Sequence, residues 1–226
     1  MIVRCWRRAK AIIINLDRED RLVVVPRFTG ALRVIRGELP PDERPYDTLQ
    51  FSLADGRTLH YRDVRRLGTV SLMKPAEFEA FDSRLGPEPL DPTFTPEQLS
   101  GILRGSSQAV KKVLMDQRRV AGVGNIYANE ALWRAAIDPS RASRAIGPAE
   151  AVRLHGSLRA VLTEAIEARG TTFRDYRDVA GGRGGFAERL QAYGRGGERC
   201  RRCGKTLVLT SAIDGRATVF CPGCQR

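Results

Sequence analysis

Four cysteines near the C-terminus carry the clearest chemistry in the chain. Cys200 and Cys203 form one CxxC pair, Cys221 and Cys224 a second, and residues 204–220 separate them. Thiolates at that spacing can close a tetrahedron around zinc with no position open to water, so the pattern points to a structural zinc site. The intervening text, KTLVLTSAIDGRATVFC, reads as strand, turn and strand, with Asp214-Gly215 supplying the turn a hairpin prefers. Five cysteines in all are too few for a disulfide scaffold. Arg195, Arg199, Arg201, Arg202, Lys205 and Arg216 surround the pairs, cations able to lie against phosphates.

A second stretch with chemical potential is DQRRVAGVGNIYANEALW, residues 116–133. One helix ends near Gln117, Gly122-Val123-Gly124 permits a tight turn, and a second helix starts after Asn125. Its first backbone amides and its dipole then face outward, which suits a phosphate. On spacing alone an ordinary helix–helix turn is the favoured reading.

These groups need elements to hold them. The first 70 or so residues hold short β-rich runs, AIIINL, RLVVVPRF, ALRVI, TLQFSL and RTLHYRD, separated by turn text such as Asp17–Asp20 and Ala54-Asp55-Gly56. Strands so spaced imply an antiparallel sandwich or barrel. From Gly86 a Pro-rich linker, GPEPLDPTF, leads to a helix start: Thr95 as N-cap, Pro96 in the first helical position, Gln98 completing a capping box. Helical text follows in QAVKKVLMDQ, IYANEALWRAA and PAEAVRLHGSLRAVLTEAIEARG, the last closing at Gly170. VAGGRGGF, residues 179–186, is a glycine-rich loop, expected to be mobile. The fold class expected is α+β and multidomain, without internal repeats. A β-sandwich occupies 1–85, a helical domain with the loop 86–194, and a zinc-finger hairpin 195–226.

The formal charge of +12 and pI near 10.2 favour a polyanionic partner. Nucleic acid fits better than a membrane surface, since no basic amphipathic helix stands out. A generally Arg-rich proteome would raise the pI too. The opening MIVRCWRRAK AIIINLDRED is no targeting peptide, because Asn15 and the charged run Asp17–Asp20 cut the apolar stretch short. No run approaches the roughly 18 apolar residues of a membrane span. A soluble, intracellular protein is expected.

VAGVGNIYANEALWRAAIDPSRAS, QAYGRGGERCRRCG and GRATVFCPGC together resemble the formamidopyrimidine-DNA glycosylase and endonuclease VIII family of base-excision repair enzymes. The first matches its helix-two-turn-helix, the others its zinc finger. RRAKAIIINL, RFTG and RDVRRLG resemble a strand and two loops of its N-terminal domain, so the likeness runs over essentially the whole chain. The resemblance implies a monomeric, cytoplasmic, nucleoid-associated enzyme of bacterial type. Its partner would be damaged double-stranded DNA, and it would hold one structural zinc.

Members of this family bend duplex DNA, turn the damaged nucleotide out of the stack and fill the gap with side chains. By position Phe28 matches a wedging Met, Arg65 the Arg that faces the orphaned base, and Leu67 a stacking Phe; both departures keep the wedge apolar. Read without the family, Phe28 would be a core aromatic. Asn125 and Lys111 match phosphate contacts around the lesion. Arg216 matches a phosphate-binding finger Arg implicated in the last elimination step. Tyr46 stands where better-known members place a His that contacts DNA. Lys10 matches a Lys that assists β-elimination, its plainer alternative being a solvated strand Lys. The AGGRGG loop matches a segment that closes over an everted purine.

The family's chemistry is covalent. An N-terminal proline amine attacks the deoxyribose C1′, the base leaves, and the iminium acidifies the neighbouring C2′ proton for β- and then δ-elimination, with a following Glu as acid. This sequence has no Pro-Glu start, so the nucleophile is expected upstream of Met1, with the opening residues lying inside a strand. The resemblance therefore implies a glycosylase and AP lyase for oxidised purines such as formamidopyrimidine and 8-oxoguanine. The alternative is a non-catalytic binder of damaged DNA that keeps the helix-two-turn-helix and finger. A generic zinc-ribbon protein would leave Lys10, Arg65 and Asn125 unexplained.

Overall fold

A computed structural model describes residues 1–172 and 182–226. The chain gathers into two compact units, Met1–Asp82 with Ala165–Glu188, and Ser83–Glu164 with Arg189–Arg226. The three-part division expected from sequence motifs and this grouping by contacts are different cuts: contacts join the finger to the helices. The glycine-rich loop expected at 179–186 lies partly outside the described residues.

The first unit contains β1 (Ile2–Arg8), β2 (Ala11–Leu16), β3 (Arg21–Val25), β4 (Gly30–Ile35), β5 (Asp47–Ser52), β6 (Thr58–Asp63), β7 (Thr69–Met73) and α1 (Pro75–Asp82). One antiparallel sheet runs β1-β2-β3-β7 and a second β4-β6-β5. Ile14 and Val24 pack with Leu32, Leu59 and Tyr61 of the second sheet. Their neighbours Ile13 and Val23 point to the opposite face, where Phe78 of α1 and Trp6 cover them. With both faces of β2 and β3 buried, AIIINL and RLVVV show continuous apolar text in place of alternation. The helix α1 and strand β7 were not among the expected elements. KPAEFEAFD offers one buried residue, Phe78, and too weak an apolar stripe to announce a helix.

The second unit contains α2 (Pro96–Arg104), α3 (Val110–Met115), α4 (Asn125–Ala135), most of α5 (Pro148–Glu167) and the short strands β8 (Val208–Thr210) and β9 (Thr218–Phe220). The capping box at α2 forms as expected: Thr95 Oγ1 accepts from Gln98 N at 3.3 Å, and Thr95 N donates to Gln98 Oε1 at 3.2 Å. Leu99, Leu114, Leu132, Leu154 and Leu158 fill one fully buried core. Each such leucine is worth about 1.5–3 kcal/mol of transfer free energy. A second cluster joins Trp133 of α4 to Ala192, Leu207, Val219 and the buried Cys200 and Cys221.

The end of α5 departs in detail from expectation. Gly170 N donates to Ala165 O at 2.7 Å and Arg169 N to Ile166 O at 2.9 Å. In this Schellman closure Arg169, at φ 56, occupies the left-handed position expected of a glycine, with Gly170 following at φ 89.

Candidate nucleic-acid interface

The turn between α3 and α4 is built around Gln117. Its Nε2 donates to Met115 O and Val123 O, both at 2.9 Å, while its Oε1 accepts from Gly122 N at 2.8 Å. Gly122 adopts φ 82, the left-handed geometry that the turn requires. Gly124 is the N-cap of α4 in extended conformation, and no side chain caps this helix. Asn125 then begins α4 half-buried.

Three side chains from α3 and α4 converge on one finger carbonyl. Ala217 O accepts from Lys111 Nζ at 3.0 Å, Asn125 Nδ2 at 3.0 Å and Asn129 Nδ2 at 3.5 Å. Lys111 also donates to Thr218 Oγ1 at 2.7 Å, and Asn129 Oδ1 accepts from Val219 N at 2.8 Å. The next residue toward the hairpin tip is Arg216, whose side chain is 53% exposed and whose Nε lies 3.6 Å from Asp214 Oδ2. Asp214 and Gly215 both take positive φ, 58 and 65, as the expected turn demands, but they sit within a seven-residue connection, 211–217.

Lys111 is a correction to the sequence reading. It is fully buried, so its ammonium braces the finger from behind and presents nothing to solvent. Burial, reinforced by the nearby Arg216 cation, brings its pKa down to about 8. Asn129 and Glu130 were missed. The Glu130 carboxylate, fully buried, accepts from the backbone N–H groups of Gln191, Ala192 and Tyr193 at 2.9, 2.9 and 2.8 Å. It anchors the chain entering the finger to α4. The available signal was two polar residues inside the otherwise apolar ANEALW.

In the first unit Phe28 is 69% exposed and Leu67 40%, which removes the core-aromatic reading of Phe28. The Arg65 guanidinium lies 5.0 Å from the centroid of the Phe28 ring, within cation–π range. The structure thus brings Phe28 and Arg65 together and leaves both on the surface with Leu67.

Tyr46 closes a 3-10 turn, Arg44–Tyr46, half-buried, with Arg62 5.9 Å from its ring. Sequence reasoning missed what holds this turn. Glu43 takes two bonds from Arg33 Nη1 at 3.0 Å and pairs with Arg62 Nε at 3.2 Å, and His60 Nδ1 meets Asp47 Oδ2 at 2.8 Å. The signal was the set of charged and polar residues inside strands, Arg33 facing His60 across the β4–β6 register. Lys10 is corrected in place: it lies exposed in the two-residue turn Ala9-Lys10 between β1 and β2, where Ala9 has φ 52, and not within a strand.

The sulfur atoms of Cys200, Cys203, Cys221 and Cys224 all lie within 4.8 Å of one another. Cys203 Sγ to Cys221 Sγ is 3.4 Å, too long for a disulfide of about 2.05 Å. It is near the roughly 3.8 Å edge of a tetrahedron with 2.3 Å metal–sulfur bonds. Cys200 works against desolvation, yet the backbone N–H groups of Arg202 and Cys203 bring its pKa to about 6, while burial and the other thiols push Cys224 up to about 12. Four clustered sulfurs with N–H support fit a closed metal site.

Three family models match consecutive parts of the chain: the formamidopyrimidine-DNA glycosylase N-terminal domain over 1–70, the formamidopyrimidine-DNA glycosylase H2TH domain over 85–177, and a zinc finger found in FPG and IleRS over 197–226. The formamidopyrimidine-DNA glycosylase of Roseiflexus sp. (strain RS-1) is 42% identical over 225 residues, covering 99% of this chain and 81% of the relative. Among solved structures, the MutM (Fpg) protein of Thermus thermophilus superposes with TM-score 0.89 at 38% identity, over 99% of this chain and 82% of that one. Lactococcus lactis Fpg in complex with abasic-site DNA superposes with TM-score 0.90 at 33% identity, over 100% and 82%.

Proposed function

The chain belongs to the formamidopyrimidine-DNA glycosylase family, and on that premise we propose that it acts in base-excision repair on duplex DNA carrying oxidised purines, formamidopyrimidine and 8-oxoguanine among them. The single observation that carries this reading is the surface pairing of Phe28 with Arg65. An aromatic left in water beside a guanidinium costs solvation in the free protein and suits a gap in a base stack. Phe28 and Leu67 form the apolar wedge, and Arg65 meets the orphaned base.

The remaining residues divide binding from chemistry. Asn125, at the N-terminus of α4, and Arg216 take the phosphates flanking the lesion. Lys111 acts through Ala217, holding the finger backbone so that Arg216 is aimed. Tyr46 makes a backbone contact, and Lys10 assists β-elimination. The motif limits 1–85, 86–194 and 195–226 mark a wedge-bearing domain, a phosphate-binding helical domain and a finger. The four cysteines hold a structural zinc, which supplies cross-linking of the finger and no step of the reaction. As a partner-binding surface the chain works as a monomer on DNA in the cytoplasm, and no helix among the described residues is long and apolar enough to cross a membrane.

Borohydride trapping on duplexes with 8-oxoguanine or an abasic site tests the reading. A chain that carries the family's Pro-Glu start is expected to form the covalent adduct, and the same chain with that proline replaced by alanine is expected to bind without trapping. If neither traps while lesion binding persists, a non-catalytic damaged-DNA binder replaces the enzyme reading. Affinity should fall steeply with salt, as phosphate neutralisation requires; a flat response would remove the nucleic-acid assignment.

A further inference from the structure

Two loops cross between the sheets of the first unit at the same end. β3 leaves one sheet at Val25 and β4 enters the other at Gly30; β6 leaves the second sheet at Asp63 and β7 returns to the first at Thr69. Val25 pairs with Thr69 and Gly30 with Asp63. Residues 26–29 and 64–68 therefore run side by side between two fixed register pairs. One loop carries Phe28 and the other Arg65 and Leu67.

A single buried carboxylate ties the roots of both loops. Asp63, 1% exposed, accepts at Oδ1 from Thr29 Oγ1 at 2.6 Å and from Arg65 N at 3.2 Å. Its Oδ2 accepts from Gly68 N at 2.8 Å and from the Tyr61 hydroxyl at 3.4 Å. Thr29 Oγ1 passes on the link by accepting from Arg65 N at 3.0 Å. The backbones approach so closely that side chains are excluded. A Cβ on Gly30 would lie 2.2 Å from Pro26 O, and one on Gly68 would lie 1.9 Å from the Tyr61 hydroxyl.

A sheet corner needs no ionised group at its centre, and burying a carboxylate is expensive unless its lone pairs are filled. Here all four acceptor sites are used, and two of the donors are the hydroxyl of Thr29, next to Phe28, and the backbone N–H of Arg65 itself. We propose that Asp63, through Thr29, is a positioning residue that locks Phe28 and Arg65 into one preformed wedge. Ordering the two loops during folding removes that entropy cost from DNA binding. The gain appears only where the stack can open, so the brace favours damaged over undamaged duplex. This inference rests on the wedge reading above.

The test compares binding of a duplex containing a tetrahydrofuran abasic analogue with binding of the undamaged duplex, using the full chain with zinc. Phe28→Ala and Arg65→Ala establish the wedge: each should lower the preference for the damaged duplex. Asp63→Asn and Thr29→Val should then lower it about tenfold, the scale of one lost charge-assisted hydrogen bond. The double variant should add little to either single one. Thr29→Ser, which keeps the hydroxyl, should restore the parental preference. Affinity for undamaged duplex and zinc content should stay unchanged, a separation that general loosening of the fold would not produce. If Asp63→Asn fails to fold, the Thr29→Val and Thr29→Ser pair decides alone. A normal preference in Thr29→Val, with Phe28→Ala and Arg65→Ala impaired, overturns the positioning role and leaves the wedge standing. Normal preference in Phe28→Ala and Arg65→Ala overturns both.

Discussion

Replacing Lys111 with Met should abolish a specific pH dependence of stability. In the unfolded chain the lysine keeps its proton up to its ordinary 10.5, but in the folded chain only up to about 8. Between those values the unfolded state binds more protons, so unfolding free energy rises with pH. The penalty is full below about pH 8 and gone above 10.5. At ~1.4 kcal/mol for each pH unit crossed, the parent should gain about 2 kcal/mol relative to Lys111→Met between about pH 7.5 and 9.5. Near neutrality the two should differ little. The variant loses two hydrogen bonds but also the cost of a buried charge, while Asn125 and Asn129 still hold Ala217 O and Thr218 Oγ1 keeps its own bond to Arg216 O at 3.0 Å. The net difference at about pH 7.5 should lie within ~2 kcal/mol. Urea unfolding followed by Trp133 fluorescence, in a Trp6→Phe background, measures both curves. Parallel pH profiles, or a parent that weakens relative to the variant as pH rises, would refute the account of Lys111 as a buried ammonium bracing the finger.

Three further outcomes follow from packing and charge. Cys200→Ser or Cys221→Ser should release the metal and weaken DNA affinity, read by elemental analysis and fluorescence anisotropy; retention of both would remove the structural-zinc reading. Glu130→Ala should cost about 3 kcal/mol or more, because three backbone N–H groups lose their acceptor at once; a denaturation midpoint unchanged within error would contradict that anchor. Gly68→Ala should destabilise the first unit by about 2 kcal/mol or more through the clash with the Tyr61 hydroxyl, and adding Tyr61→Phe should recover part of the loss, since the contact with Val25 O at 2.8 Å remains.

Much of the candidate site was legible because it depends on local pattern. The paired cysteines, the glycines of the α3–α4 turn and the Thr95 capping box each act within a few residues, so spacing and residue type suffice to place them. The β-sandwich class followed from strand-length apolar runs. RFTG and RDVRRLG were marked by likeness to a family, yet the likeness says nothing of Phe28 stacking on Arg65.

What the sequence by itself determined is therefore the inventory: a hairpin with four thiols, a helix N-terminus behind two glycines, an excess of cations and two loops of recognisable type. Only the tertiary structure decided what the polar groups inside that framework do. Lys111, Asn129, Glu130 and Asp63 look like ordinary surface residues in the chain. They become buried braces because their partners lie far away in sequence, Lys111 meeting Thr218 and Glu130 meeting Ala192. A lysine or carboxylate can be buried only where the fold supplies enough acceptors or donors to replace water. Those partners are assembled by sheet register and helix packing, which no local stretch of sequence contains.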